Sequence, residues 1–387
     1  MDDGLRCRKR KQVPSDGRPR IESDDLLVEI LSRLPVRSLV RFRCVCKSWR
    51  ALISDSHLVM KHLSCSVSGV KSSGCCSRLI FSTVPLQSLD YAALNDAVGP
   101  VARSELCLPG PLGCMRIVGS CNGLVCLEGN RGCVVLWNPS TRETRVLPVL
   151  NILHLGIMFY GFGYDSTIDD YKVILGLKSV AASTTTVAIF TLKTGLWRAV
   201  HAGGYVKLNG QGCLINGALH WVEMKWAETV VIHPVLSSRI MSFGLAEETF
   251  QELMPLSYLT KDQIYTSARI GNTGNCLFVY LYSDNAITIW VMKEYRVMDS
   301  WTKVIHVPEV SLSRFPPRLG PLAFLNPICI LENSEVLMNF NGLDLVLYNP
   351  NERAFRNALE TPAYLAHEPA MYVESLVSPI TGKGTIS

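Results

Sequence analysis

The sequence lacks several features that would place it in well-known protein classes. No apolar run reaches the roughly 18 residues needed to cross a bilayer, and the basic N-terminus has no apolar signal core. The 14 cysteines include no Cys-x-x-Cys pair, and no histidines stand at zinc-finger spacing. We therefore expect no metal, no cofactor and no membrane partner. The thiols are expected to pack as small apolar groups in a reducing compartment, the nucleus and/or the cytoplasm.

Charge is also scarce and unevenly placed. Charged residues make up 18% of the chain, and the net charge is +5. Residues 1–20 hold seven Lys/Arg and three Asp, a net charge of +4 that leaves +1 for the rest. The larger part of the chain therefore has no electrostatic signature of nucleic-acid binding. The run RKRK at residues 8–11 is either a nuclear-import signal or part of a solvated, disordered tail.

Residues 21–63 are, by contrast, very rich in apolar side chains. Between Leu26 and Ile53, 17 of 28 residues are apolar. Their spacing of three and four residues, interrupted at Pro35, predicts a module of three helices. About forty residues is close to the lower limit for independent folding. The surplus apolar surface therefore predicts that this module binds another protein.

The run LLVEILSRLPVRSLVRFRCVCKSWRALI within this segment resembles a plant F-box, with its RCVCKSWR signature. The resemblance implies docking on a Skp-type adaptor and, through it, on the cullin and RING subunits of an SCF ubiquitin ligase. The family usually opens with Leu-Pro where this chain has Glu22-Ser23, although Ser23 can still cap a helix. The expected adaptor contacts are Leu26, Leu27, Ile30, Leu34, Pro35, Leu39, Val45, Cys46 and Trp49.

Basic residues in the same module leave open an alternative, a small DNA-binding helical domain behind a basic arm. Arg41, Arg43, Lys47 and Arg50 would then face phosphates. These cations are interleaved with large apolar residues, which favours binding to protein over binding to nucleic acid.

From residue 78 onward the pattern changes to short strands, which alternate with turns rich in Gly, Pro, Asn and Asp. A strand ending in a bulky residue recurs at intervals of 48, 53, 53, 47 and 58 residues. A period near 50 is typical of four-stranded propeller blades of the kelch type. The sequence predicts an all-β domain of six such units, with a strand near residues 371–376 closing the ring; a β-sandwich is the alternative. The recurring bulky residues are Leu89, Trp137, Phe190, Phe243, Trp290 and Tyr348.

This region also resembles the plant F-box-associated domain, which is kelch-like. The matching pieces include IVGSCNGLVCL, LWNPSTRETRVLP, YGFGYDSTIDDYKVI, LINGALHWV and VLYNPNERAF, in the family's order. The overall expectation is an α+β multidomain protein. Its parts are a basic disordered tail (1–20), an F-box (21–63), a linker (64–77), an F-box-associated β domain (78–378) and a C-terminal tail (379–387).

Three constellations that suggest chemistry have simpler structural interpretations. Residues 119–123 have the spacing of a nucleophile elbow, but Asn122-Gly123 is typical of a hairpin turn and a strand follows it. Asp165, Asp169 and Asp170 lack the pattern of an EF-hand and indicate a turn. His220 lies in a strand-like run and is expected to pack in the core. The sequence therefore predicts a non-catalytic protein.

The resemblance implies a substrate receptor that binds an unknown target protein. Loops on a rigid scaffold are free to vary, so we expect target binding at the longest ones, residues 178–186, 225–238 and 307–321. The side chains suited to such contacts are Trp226, Phe315 and Arg318. The alternatives are a propeller or lectin-like module that binds its ligand without an adaptor, and a hydrolase built on the β domain.

Overall fold

A computed structural model describes most of the chain beyond the basic N-terminal segment. The described residues are 23–67, 77–96, 101, 103–108, 115–129, 132–150, 155–179, 185–201, 208–226, 235–260, 265, 267–283, 286–308, 325–340, 344–359 and 369–383. The predicted disordered tail at residues 1–20 lies outside them.

Four helices form a small module at residues 23–67, hereafter the helical module. They are α1 Ser23–Leu31, α2 Val36–Phe42, α3 Lys47–Ser54 and α4 Ser56–Val67. The sequence predicts three helices within residues 21–63, whereas the structure has four, because the last part is divided at Asp55, and α4 continues to Val67 in the predicted linker. The Asp55 carboxylate accepts hydrogen bonds from the backbone N–H groups of His57 and Leu58, which caps α4 and separates it from α3.

Twenty-five strands and two short helices, α5 Ala93–Asp96 and α6 Ser257–Thr260, follow in the described part of the chain. The strands are β1 Ser77–Phe81, β2 Leu86–Asp90, β3 Arg103–Leu106, β4 Arg116–Cys121, β5 Leu124–Glu128, β6 Val134–Trp137, β7 Thr144–Val146, β8 Leu155–Asp165, β9 Asp170–Ser179, β10 Thr185–Thr191, β11 Leu196–His201, β12 Gly210–Gln211, β13 Cys213–Ile215, β14 Ala218–Trp226, β15 Val235–Gly244, β16 Phe250–Pro255, β17 Ser267–Thr273, β18 Cys276–Ser283, β19 Ala286–Met292, β20 Trp301–Pro308, β21 Leu325–Ile330, β22 Val336–Phe340, β23 Asp344–Asn349, β24 Ala354–Leu359 and β25 Ala370–Val373.

These strands form six separate sheets, antiparallel except for the parallel pairing of β12 with β8, which confirms the predicted propeller and excludes the sandwich. Blade 1 is β25-β1-β2-β3, blade 2 is β4–β7, blade 3 is β8–β11 with β12 added beside β8, blade 4 is β13–β16, blade 5 is β17–β20 and blade 6 is β21–β24. The six predicted bulky residues all lie in the third strand of their blades. The period near 50 therefore marks one equivalent position in every blade.

Apolar side chains fill the spaces between neighbouring blades. The buried residues of the described chain group into six clusters, one for each pair of adjacent blades. Strands β5 and β6 are buried almost throughout because blades pack on both of their faces. The first strand of each blade contacts first strands of neighbouring blades, so these strands line the axis.

The ring closes through the C-terminal strand. β25 pairs with β1 and supplies the innermost strand of blade 1, as the sequence predicts. The buried Asn138 side-chain amide donates hydrogen bonds to the carbonyl oxygens of Ser375 (3.0 Å) and Val377 (2.7 Å). The Ser375 hydroxyl in turn donates to the carbonyl of Asn122 at 2.8 Å. We call residues 374–378 the closure segment, because they join the end of the chain to blade 2.

The turn predictions are also confirmed. Asn122 and Gly123 form the two-residue turn between β4 and β5, with φ of 54° and 82°. A side chain at position 123 would also clash with Ser375. Glycine is therefore required there both by the positive φ and by the lack of space. Residues 166–169 form the turn between β8 and β9, where Asp169 has φ 53° and Asp165 accepts a bond from the Thr167 N–H.

His220 is a core residue, as predicted. Its side chain is fully buried, with Nδ1 3.1 Å from the Cys213 carbonyl and Nε2 2.9 Å from the Tyr295 hydroxyl. These partners fit a neutral ring that donates from Nδ1 and accepts at Nε2. Burial lowers the pKa of His220 from 6.5 to about 4.

Replacement of Asn138 by Asp tests the closure segment. The change keeps the bonds that the side chain accepts from the N–H groups of Ser140 and Thr141 but removes both donated bonds. It also turns a carboxylate toward two carbonyl oxygens. We expect a loss of roughly 2–4 kcal/mol in the free energy of unfolding, measured by urea denaturation. Asn357→Asp, at an exposed position of β24, is the control, and equal effects of the two variants would contradict the role of Asn138.

The lowered pKa of His220 predicts a pH dependence of stability. Because the unfolded state takes up a proton more readily, the free energy of unfolding falls as pH drops from 6.5 toward 4. The loss attributable to this residue is at most about 3 kcal/mol. Chemical denaturation at pH 6.5 and pH 4 measures this change in the free energy of unfolding. The decrease between the two pH values should be smaller for His220→Asn than for the wild type or for the exposed control His57→Asn. An unchanged pH dependence in His220→Asn would contradict the assignment.

Candidate functional site

Three large apolar side chains project from the helical module into solvent. Leu26 is 60% exposed, Ile30 is 52% exposed and Val45 is 66% exposed. Leu26 and Ile30 are four residues apart on α1, so they lie on the same face of the helix. Such side chains on a module with its own buried core are free to contact another protein.

The remaining predicted adaptor contacts divide by burial. Pro35 and Cys46 are exposed, whereas Leu27, Leu34 and Trp49 are half-buried. Leu39 is fully buried and belongs to the module's own core. The sequence pattern shows which positions are apolar but not which of them the module uses for itself. The buried core consists of Val28, Leu31, Val36, Leu39, Ile53, Leu58, Val59 and Leu63.

Specific contacts fix the shape of the module. The His62 ring donates from Nε2 to the Leu34 carbonyl at 2.9 Å, which ties α4 to the end of α1. Burial lowers the pKa of His62, and the bond to Leu34 offsets this only in part. The Phe42 and Trp49 rings meet edge to face, with centroids 5.3 Å apart. The exposed side chains therefore stand on a scaffold that is already ordered in this chain.

The helical module is seated on the propeller at the point where the ring closes. Its core is part of the apolar cluster between blades 2 and 3. The Arg43 guanidinium lies 3.8 Å from Glu143 in the turn between β6 and β7, and the Ser378 hydroxyl donates to the same carboxylate. Arg37 lies 3.9 Å from Glu374 of the closure segment. Burial lowers the pKa of Arg43, which Glu143 opposes.

These contacts define two faces of the propeller. Strands alternate in direction within each blade, so the turns after the first and third strands lie on one face. Glu143 and Glu374 both belong to that face, which we call the helix-side face. The connections after the second strand and those to the next blade lie on the other face, which we call the far face.

All three predicted target-binding loops connect strand ends at the far face. The structure shortens them: residues 178–179 and 185–186 belong to β9 and β10, residues 225–226 and 235–238 to β14 and β15, and residues 307–308 to β20. The remaining residues of the three predicted loops lie outside the described ranges. Trp226 is the last residue of β14 and pairs with Val235. Phe315 and Arg318 lie outside the described residues. The three predicted side chains therefore remain proposals.

A cavity of about 170 Å³, which was not predicted from the sequence, lies on the propeller axis. It is lined from the innermost strands of all six blades and from two second strands, β18 and β22. Its lining includes both ends of the first strands: Cys213, Asn326 and Ala370 stand at or near the starts of β13, β21 and β25, whereas Ser120 and Asn272 stand near the ends of β4 and β17. No sequence motif marks it, because its lining comes from single residues and short runs spread over some 250 positions.

The described residues show neither a metal centre nor a membrane helix. No group of three or more His, Cys, Asp or Glu side chains in that part of the chain is placed to hold a metal ion. No helix within the same ranges has the length and apolar character needed to span a bilayer.

Comparison with protein families gives two matches along the chain. Residues 109–378, more than half of the chain, match the F-box associated beta propeller domain. Residues 23–61 match the F-box domain and contain the three exposed apolar side chains. The two matches stand in the order in which the helical module and the propeller occur.

Individual relatives span nearly the whole chain. An F-box/kelch-repeat protein of Arabidopsis thaliana is 29% identical over 368 residues, covering 92% of this chain and 95% of the relative. The F-box protein CPR1 of the same plant is 27% identical over 384 residues, covering 91% and 88%. Among solved structures, TolB from Acinetobacter baumannii has a TM-score of 0.44 at 11% identity, covering 82% of this chain and 72% of TolB. The chain belongs to the plant F-box proteins that carry an F-box-associated β-propeller domain.

Proposed function

We propose that this protein is the substrate-recognition subunit of an SCF-type ubiquitin ligase. The helical module docks on a Skp-type adaptor, which connects it to the cullin and the RING subunit, and the propeller binds the target protein. The observation that carries the proposal is the exposure of Leu26, Ile30 and Val45 on an F-box that is otherwise folded. Burial of each such side chain at an interface contributes about 1.5–3 kcal/mol.

The chain acts in this complex as a non-catalytic receptor. Ubiquitin transfer belongs to the recruited enzymes, and the receptor raises the effective concentration of target lysines near them. This activity belongs in the nucleus, the cytoplasm or both, since the basic run at residues 8–11 has the composition of an import signal.

The two faces of the propeller suit this division of work. The helix-side face carries the module that docks on the adaptor, and the far face carries the predicted target-binding loops. A target bound at the far face is separated from the adaptor by the full depth of the blades. The contacts of the helical module with Glu143 and Glu374 orient the propeller, and with it the bound target, relative to the adaptor.

The double substitution Leu26→Asp and Ile30→Asp tests adaptor docking. Both side chains are exposed in this chain, so the fold should be unaffected, whereas an interface would have to bury two unpaired carboxylates. We expect the affinity for a purified Skp-type adaptor to fall by at least about 100-fold, measured by calorimetry.

Val304→Asp is the matched control, because Val304 is an exposed apolar residue of β20 on the propeller. It should bind the adaptor like the wild type, and all variants should share one thermal unfolding midpoint. A double variant that still binds the adaptor normally would contradict the assignment. Absence of adaptor binding by the wild type would favour an adaptor-independent binding module.

A further inference from the structure

The axial cavity has a lining that is polar but carries no formal charge. Four of the residues that line it have side-chain carboxamides, Gln211, Asn272, Asn326 and Asn339. Each carboxamide carries a donor and an acceptor. Ser120 and Tyr280, which carry hydroxyls, also line it.

Some of these groups are available for a ligand. Within the described ranges, the side chains of Ser120, Gln211 and Asn272 make no hydrogen bond to protein. Asn326 lies beside the Tyr282 hydroxyl, which donates to the Leu325 carbonyl and whose oxygen is 3.3 Å from the Asn326 Oδ1. That contact leaves the NH₂ donors of Asn326 for other partners. The cavity therefore offers several polar groups to a ligand.

Apolar groups occupy the rest of the wall. Phe162, Leu214, Ile270 and Ile328 line the cavity beside the amides. Met371 also lines the cavity and is 36% exposed, so its flexible thioether is available for contact with a ligand. A ligand that fits must pair hydrogen-bonding groups with an apolar side.

The lining is unsuited to a charged ligand. No Lys, Arg, His, Asp or Glu is among the described residues that line it. The Cys213 thiol stays neutral, because burial raises its pKa to about 12. A carboxylate, phosphate or ammonium group would lose its hydration without gaining an opposite charge, which is costly.

We propose that the axial cavity is a recognition site for an uncharged segment of the target protein, which places peptide or side-chain amide groups against Asn272 and Asn326 and an apolar side chain against Ile270 and Met371. Amides are the natural complement, because one amide satisfies the donor and the acceptor of another. This inference rests on the proposed receptor function and specifies the chemistry of the target. Phosphorylation of the segment would weaken its binding.

The test uses the full chain and four small probes. They are the capped dipeptide acetyl-leucyl-glutamine amide, its acidic counterpart acetyl-leucyl-glutamate amide, acetamide and glucose, each followed by ligand-observed NMR at millimolar concentration. The neutral dipeptide should bind, and more tightly than acetamide because its leucyl group meets the apolar wall. Asn272→Leu should weaken its binding about two- to tenfold, the effect of one lost neutral hydrogen bond. Asn357→Leu, at an exposed position of β24, should leave its binding unchanged.

Each other outcome overturns the inference in a defined way. Equal binding of the acidic dipeptide contradicts the need for an uncharged ligand. Equal binding of acetamide indicates a site for a free small amide, and stronger binding of glucose indicates a polyol site. No binding of the neutral dipeptide, or equal loss in both Asn→Leu variants, removes the site altogether. Adaptor affinity measured on the same preparations shows separately whether the proposed receptor function fails.

Discussion

Closure of the ring is the constraint on which the other features of this protein depend. β25 completes blade 1 by pairing with β1, and the Asn138 amide binds the two carbonyl groups of the closure segment. The seat of the helical module uses the same region, because Glu374 lies in the closure segment and Glu143 accepts a bond from Ser378. One set of contacts thus determines both the integrity of the propeller and the orientation of the F-box.

The closed ring also has two distinct faces, the helix-side face and the far face. The backbone ladder fixes the blades, and the apolar clusters between blades hold them in register. The far face is therefore free to differ in sequence without cost to the core. The axial cavity combines both properties. The strands that form its walls are fixed by backbone hydrogen bonds, whereas its polarity depends on residues such as Asn272, whose side chains the backbone pairing does not require.

Much of the fold follows from local sequence patterns. The six bulky residues from Leu89 to Tyr348 mark equivalent third strands, so spacing alone predicted the number of blades. Asn122-Gly123 predicted its turn because few other residue pairs accept two positive φ angles. Helix periodicity likewise predicted a helical module at residues 21–63, but not the extension of α4 to Val67 or the break at Asp55, which depends on a single side chain bonding to the backbone.

The candidate sites were harder to foresee, because they depend on contacts between distant residues. Leu39 and Leu26 look alike in the sequence, yet one is buried in the module and the other is exposed. The axial cavity combines residues from six blades, and no local pattern brings Ser120 near Asn272 and Met371. Sequence periodicity shows that a propeller exists, whereas the chemistry along its axis appears only when the ring is assembled.

The position of β25 has a consequence for synthesis of the protein. The F-box helices are synthesised well before β25, the strand that completes blade 1, because β25 follows them by some 300 residues. A chain interrupted before β25 therefore contains these helices but has an open ring. It also lacks Glu374, so Arg37 would lose its partner on the propeller and the helices part of their support.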